Sequence, residues 1–312
     1  MSSESTVIIT GVSSGIGRML ASRLAGTHRV LGLTRDKAGL PSMVAGVEYV
    51  EADLGRSPRF DGITAAGCII HAAAETPGRH DDKSPEKIRR FEGINVEGTR
   101  AVLGLARRIG ARRFLFVSSH AAIRAARVGA SLEPYGDSKL RAEDLVRRSG
   151  LEWTILRPTG VYSPTEYFKR HLESLKAKRL VLIRGNGSTL VQQVYVGDVV
   201  SALLACIGNR KTIGQCYSLA GRDSITLRQY HDLVGDLIGA RYLTIEVPFW
   251  IVSAYSIAVR GLGLYLRETR HRLKESRRDS DLDIRPAVED FGYAPLGFQD
   301  GLKECIREIA AS

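Results

Sequence analysis

At 312 residues the chain is long enough to bury one large α/β core or two closely associated ones. Hydrophobic residues at 44% and charged residues at 25% are ordinary for a soluble enzyme, and the net charge of +11 is spread over pairs such as Arg107/Arg108, Arg112/Arg113 and Arg147/Arg148. Such a spread suits solvated helix faces with a potential that attracts anionic small molecules, and no aromatic-interleaved basic strand accompanies it, which argues against a nucleic-acid partner. The four cysteines, Cys68, Cys206, Cys216 and Cys305, lack metal-ligand spacing, and the seven histidines contain no HExxH-like pair. No catalytic metal is expected, and the absence of a signal peptide points to reduced thiols in a cytoplasm.

In chain order, Val7–Ile9 read as a buried strand, and Ile16, Met19, Leu20 and Leu24 recur at helical spacing. Between them lie Gly11, Gly15 and Gly17, with Ser14 ahead of the helix. A strand turning sharply into a helix needs glycine where φ is positive or where another backbone or a ligand comes close. The unpaired N–H groups at such a helix start favour a pyrophosphate. Arg29–Thr34, Val47–Ala52, Gly67–His71, Arg113–Ser118 and Glu152–Arg157 are further strand-like runs, with helical patterns over Pro85–Ile109 and Pro134–Ser149. This alternation predicts an α/β fold with a doubly wound parallel sheet, whose ligands bind outside the carboxyl ends of the strands.

From Gly160 the alternation becomes irregular. A dinucleotide-binding domain over 1–159 and a smaller, mostly helical substrate-binding region over 160–312 are expected, with a strand near 215–220 returning to the main sheet. The apolar run Val247–Val259 ends at Arg260 and is too short to span a bilayer, so it is read as a core or substrate-lid helix.

Tyr135 and Lys139 stand at i and i+4 and share one helix face. A lysine ammonium beside a phenol favours the phenolate and lets tyrosine exchange a proton with a carbonyl or alcohol. The pair follows the strand RFLFVSS, whose end places Ser118 and Ser119 beside the expected ligand site. Glycine turn, post-strand serine and Tyr-x-x-x-Lys, in this order, resemble the short-chain dehydrogenase/reductase superfamily. HAAAE at 71–75, NVEGTRAVLGLARRIGARRFLFVSS at 95–119, ILRPTGVYSP at 155–164, VYVGDVVSALL at 194–204 and AVEDFGYAP at 287–295 extend the resemblance to its NAD-dependent epimerase/dehydratase branch.

The resemblance implies a Rossmann-like fold in a likewise cytoplasmic homodimer, with Tyr135 as acid/base, Lys139 as its electrostatic partner and ribose anchor, and Ser119 polarising the reacting carbonyl. Gly11, Ser14, Gly15, Ile16 and Gly17 would lie against the pyrophosphate, Asp53 and Leu54 near the adenine, Ala72 and Ala73 along the dinucleotide, and Pro158 beside the nicotinamide. Ser118 and His120 flank Ser119, and the family's usual Tyr-Gly a few residues later is replaced by Ile123-Arg124. The strand VLGLT ends at Thr34, followed by Arg35, which can accept a 2′-phosphate. NADP is therefore expected as the cofactor, with NAD the alternative if Asp36 holds the ribose.

A small-molecule substrate, a 4-keto nucleotide sugar, is expected on resemblance alone. The diphosphate-clamping arginine of such enzymes is replaced by Val191-Gln192-Gln193, leaving Arg184, Arg277 or Arg278 as substitutes. The alternative is a ketone reductase resembling the 3β-hydroxysteroid dehydrogenase or dihydroflavonol reductase groups. A non-catalytic dinucleotide sensor of the NmrA-like kind is a third reading, disfavoured because Tyr135 and Lys139 are both kept. The short interval between Ser119 and Tyr135 predicts a small loop over the site.

Overall fold

The computed structural model describes residues 6–40, 43–56, 58–77, 83–130, 133–178, 180–184, 187–248, 250–251 and 282–311. The chain falls into two compact units, one made of Met1–Thr159, Val196–Leu219 and Ile284–Tyr293, the other of Gly160–Tyr195, Ala220–Asp283 and Ala294–Ser312.

The first unit is built on β1 (Thr6–Thr10), β2 (Arg29–Thr34), β3 (Val47–Glu51), β4 (Cys68–His71), β5 (Arg113–Val117) and β6 (Glu152–Pro158), joined by a seventh strand, Gln215–Leu219. All pair in parallel, in the order Gln215–Leu219, β6, β5, β4, β1, β2, β3. This is a Rossmann-like sheet. Its inner strands β1, β4 and β5 are buried at every position, which their unbroken runs of apolar residues require of a sheet covered on both faces. Ile8, Leu31, Ile69, Phe114, Phe116 and Ile155 meet Val102, Leu103 and Ala106 from a helix in one core. Strand order reverses between β1 and β4, so their carboxyl ends border the crevice where such sheets bind ligands.

The helices as far as Arg147 are α1 (Gly15–Leu24), α2 (Pro85–Arg90), α3 (Gly98–Arg108), α4 (His120–Val128) and α5 (Pro134–Arg147), and Val196–Ile207 forms a later one in this unit. The pattern expected as one helix over Pro85–Ile109 contains a π-helical segment, Phe91–Glu97, between α2 and α3. There the Gly98 N–H donates to Gly93 O, and a Cβ on Gly98 would meet that of Leu54 at 3.1 Å. Residues 120–128, expected as a loop, form α4, because Ser119 caps the start, Ala121, Ala122 and Ala125 bury one face, and Gly129 ends the helix at φ +84°. α5 lies against α4 so closely that a Cβ on Gly136 would sit 2.2 Å from Ala121 O.

The late segments are bolted in by Arg113. Its buried guanidinium donates to Glu152 O at 2.7 Å, Cys206 O at 2.7 Å, Thr154 Oγ1 at 2.7 Å and Thr212 Oγ1 at 2.6 Å. The helix Arg285–Phe291 joins through Asp290, which accepts from Tyr217 Oη at 2.6 Å and, at its carbonyl, from Asn209 Nδ2 at 3.0 Å.

The second unit carries the helices Glu166–Lys176, Leu227–Ile238 and Phe298–Ala311 and three two-stranded pairs. Tyr162, Tyr195, Tyr230 and Phe298 form its aromatic centre. Leu243–Val247, not expected as a strand, pairs in parallel with Leu180–Arg184. Most of the run Val247–Val259, together with Arg277 and Arg278, lies outside the described residues. No helix among the described residues is long and apolar enough to cross a membrane.

Gly136→Ala should cost about 1–3 kcal/mol, because a backbone carbonyl cannot yield as a side chain does, and should lower the melting temperature by several degrees. Gly26→Ala, where an added Cβ meets nothing within 4 Å, should leave it unchanged.

Candidate functional site

The carboxyl end of β1 is shaped by backbone contact. Gly11 has φ +75°, and a Cβ there would stand 2.8 Å from both N and Cα of Ala73; one on Gly17 would stand 2.2 Å from Gly11 O. Ser14 caps α1, accepting from Gly17 N at 3.3 Å and donating to Gly11 O at 2.7 Å. No acidic residue occupies the first turn of α1, so its positive end, opening with Gly15 and the half-buried Ile16, is left for an outside anion.

The other expected cofactor residues of the first unit lie at or just past the carboxyl ends of its strands. Ala72 N and Ala73 N both donate to Thr10 Oγ1, at 3.1 and 3.0 Å, which fixes their backbone beside Gly11. Arg35 is exposed just past β2. Asp36 folds over its own turn, its carboxylate accepting from Ala38 N at 2.9 Å. The carboxylate of Asp53 likewise accepts from Gly55 N at 2.9 Å, and Leu54 is buried. Pro158 is buried at the end of β6, opposite Leu219.

At the end of β5 the two serines part. Ser118 is buried and donates to Glu143 Oε1 at 2.6 Å. Ser119 caps α4 through Ala121 N at 3.1 Å, and its hydroxyl acts on the Tyr135 phenol. Burial raises the pKa of Tyr135, while the Ser119 hydroxyl and the Arg124 charge pull it down. Arg124, in the place of the family's Tyr-Gly, is ion-paired with Glu133 at 2.9 Å. Lys139 is wholly buried, with Nζ donating to Val117 O at 2.8 Å and lying 4.3 Å from the centre of the Phe116 ring. Burial brings this ammonium down to about 7, and Glu143 opposes that shift. His120 is buried beside Ser119.

A polar chain that the motifs did not reveal joins the turn to the tyrosine. Thr99 Oγ1 donates to Asn95 O at 2.6 Å, so toward His71 Nε2, 2.9 Å away, it is the acceptor. His71 therefore carries its proton on Nε2, and Nδ1 accepts from Thr10 Oγ1 at 2.7 Å. Asn95 Nδ2 donates to Glu75 O at 3.1 Å and Ser138 Oγ at 2.9 Å, and Ser138 Oγ donates to Tyr135 O at 2.7 Å. Thr10 and His71 stand at strand ends, which was the available signal, whereas Asn95 lies within the π-helical segment.

Burial, with the charge of Lys139 adding to it, lowers the His71 pKa to about 3. Below about pH 6.5 an unfolded chain takes up a proton here that the folded chain refuses, so stability falls with pH until about 3. Urea denaturation at pH 6.5 and pH 5 should show a loss of about 2 kcal/mol from this residue, and His71→Gln should show that much less pH dependence.

Among the described residues no group of three or more His, Cys, Asp or Glu could hold a metal ion. The chain is 32% identical over 203 residues to a ceramide reductase of Caulobacter vibrioides, an alignment covering 64% of this chain and 60% of that protein. It is 27% identical over 300 residues to 3beta-hydroxysteroid-dehydrogenase/decarboxylase isoform 1 of Arabidopsis thaliana, covering 83% of this chain and 66% of that one. It thus spans about two thirds or less of the length of these relatives. The solved structure of a UDP-glucuronic acid 4-epimerase from Bacillus cereus in complex with NAD superimposes with a TM-score of 0.70, at 17% identity, covering 97% of this chain and 96% of that one. The family model described as the NAD dependent epimerase/dehydratase family matches residues 7–220, and the chain belongs to that family.

Proposed function

We propose that the protein is a nicotinamide-dinucleotide-dependent oxidoreductase that reduces a carbonyl, or oxidises the corresponding alcohol, with Tyr135 as the proton-carrying group. The observation that carries this reading is that Ser119, at the end of β5, acts on the Tyr135 phenol, with Lys139 one turn further along α5. The turn at Gly11 suits a dinucleotide: glycine lets backbone pack on backbone there, and the first turn of α1, which carries no acidic residue, suits a pyrophosphate. When bound, the dinucleotide supplies or accepts a hydride at its nicotinamide ring.

Tyr135, kept protonated by burial, is suited to donate its proton to a substrate carbonyl oxygen. The Ser119 hydroxyl holds that oxygen, and the Lys139 cation stabilises the phenolate left behind. Lys139 also offers its ammonium to the ribose hydroxyls. Tyr135→Phe is expected to leave dinucleotide affinity within about twofold while turnover falls roughly 10²–10⁴-fold. Turnover surviving that change would overturn the assignment.

On the cofactor, Arg35 and Asp36 are both exposed just past β2, and the engagement of Asp36 Oδ1 by Ala38 N supports NADP over NAD. Arg35→Ala is expected to weaken NADPH binding about tenfold or more, and NADH binding little, in a fluorescence titration. An unchanged ratio would favour NAD.

For the substrate, the apolar-ketone reading now has the stronger support. Gln192, near the place of the nucleotide-sugar arginine, is used internally, donating to Gly221 O at 2.9 Å and accepting from Leu282 N at 3.3 Å. The names of the relatives above are those of enzymes on sphingolipid and steroid frameworks. Dinucleotide oxidation with long-chain or polycyclic ketones, and none with UDP-sugars, is the expected outcome.

A further inference from the structure

One carboxylate ties together the elements that carry the chemistry. Glu143 stands one turn beyond Lys139 on α5 and is fully buried. Its Oε1 accepts from Ser118 Oγ at 2.6 Å and Arg157 Nε at 2.8 Å, and its Oε2 from Arg157 Nη2 at 2.6 Å and Arg147 Nη2 at 2.7 Å. Ser118 immediately precedes Ser119 at the end of β5, and Arg157 immediately precedes Pro158 at the end of β6. α5 is thus fixed to β5 at two points a turn apart, Lys139 Nζ on Val117 O and Glu143 on Ser118.

Ion pairs this deep do not by themselves stabilise a fold more than apolar packing would. We propose that Glu143 is a positioning residue for the Tyr135–Lys139 pair, holding α5 in register with the ends of β5 and β6 and maintaining, through its field, the charge of the Lys139 ammonium. The proposal rests on the reading of Lys139 as the cationic partner of Tyr135.

The groups facing Lys139 leave Glu143 as the anion that can do this. β5 presents the Val117 carbonyl and the Phe116 ring, β4 presents His71, which is neutral, and α5 itself carries the Tyr135 phenol. Glu143 is the charge that raises Lys139 against burial. The carboxylate is itself held ionised, since Arg157, Ser118 and Arg147 together outweigh its own burial. Arg147 in turn reaches the Cys216 thiol at 3.6 Å.

The test is a direct titration of Lys139 in the full-length, dinucleotide-free protein, using lysine labelled with ¹³C at Cε and the resonance identified by its loss in Lys139→Met. In Glu143→Gln the midpoint is expected about one pH unit below wild type, a tenfold change in acidity. Glu143→Asp, which keeps the charge, should restore most of it. Arg147→Gln removes a cation from the rim of the cluster and should move the midpoint the other way. A Glu143→Gln midpoint within a few tenths of wild type, with only the melting temperature lowered, would reduce Glu143 to a structural bridge and overturn the proposal. If Glu143→Gln does not fold, Ser118→Ala decides, since it frees Glu143 Oε1 from the end of β5: a downward shift supports the proposal and an unmoved midpoint overturns it. NADPH fluorescence titration over the same pH range separates the two readings. If no dinucleotide binds, the proposed function fails while the Lys139 midpoints still decide the role of Glu143.

Discussion

Backbone packed on backbone, where the ends of β1 and β4 meet the start of α1, is the constraint the rest of the first unit is arranged around. Gly17 lies on the Gly11 carbonyl, and Gly11 lies on Ala73, at separations that exclude any β-carbon. This closeness sets α1 directly after the strand it follows, with the Gly17 N–H turned back to Ser14 Oγ. It also puts Ala72 and Ala73 within reach of a single hydroxyl, Thr10, so that two strand ends share one anchor. A loop of ordinary residues would hold the same elements farther apart and lose both arrangements.

Two buried bases beneath this surface illustrate how neighbours decide charge. His71 and Lys139 are both enclosed, and burial depresses both. The imidazole is satisfied in its neutral form by two hydroxyls, so refusing the proton costs it no hydrogen bond. The ammonium has a carbonyl, an aromatic face and a carboxylate one turn away, all of which favour the cation. The same ring, Phe116, packs near both groups, stacked with His71 at 5.6 Å between centres.

Much of this was legible in the chain because it is local. Gly11, Ser14 and Gly17 lie within seven positions, and Tyr135 and Lys139 are one helical turn apart, so spacing alone puts each set in one place. The strand runs were legible for the same reason, since a doubly covered parallel strand is an uninterrupted apolar run. α4 was missed because its buried face is made of alanines, which carry little hydrophobic signal. Only the family resemblance singles out Ser119, since the residues alone do not separate it from Ser118: adjacent strand-end residues point to opposite sides and the partner that claims Ser118 lies 25 positions away in the sequence. The same distance in sequence hid the Thr10–His71–Thr99 chain, whose links join residues 61 and 28 apart. The π-helical segment was hidden because it follows from what Asn95 and Gly98 touch, not from what they are.

Arg113 carries a consequence for synthesis. The guanidinium on β5 is satisfied by the carbonyls and hydroxyls of Cys206 and Thr212, which are translated about a hundred residues later, and the helix Arg285–Phe291 that flanks the seventh strand comes later still. At ordinary elongation rates that helix emerges on the order of ten seconds after β6. Until residues 206–219 follow, the nascent sheet has a bare edge at β6, and the guanidinium has Glu152 O and Thr154 Oγ1 but not its acceptors on Cys206 and Thr212. The first unit therefore cannot close in the order in which it is made, and it is completed only after the second unit's residues 160–195 and 220–283 have been translated.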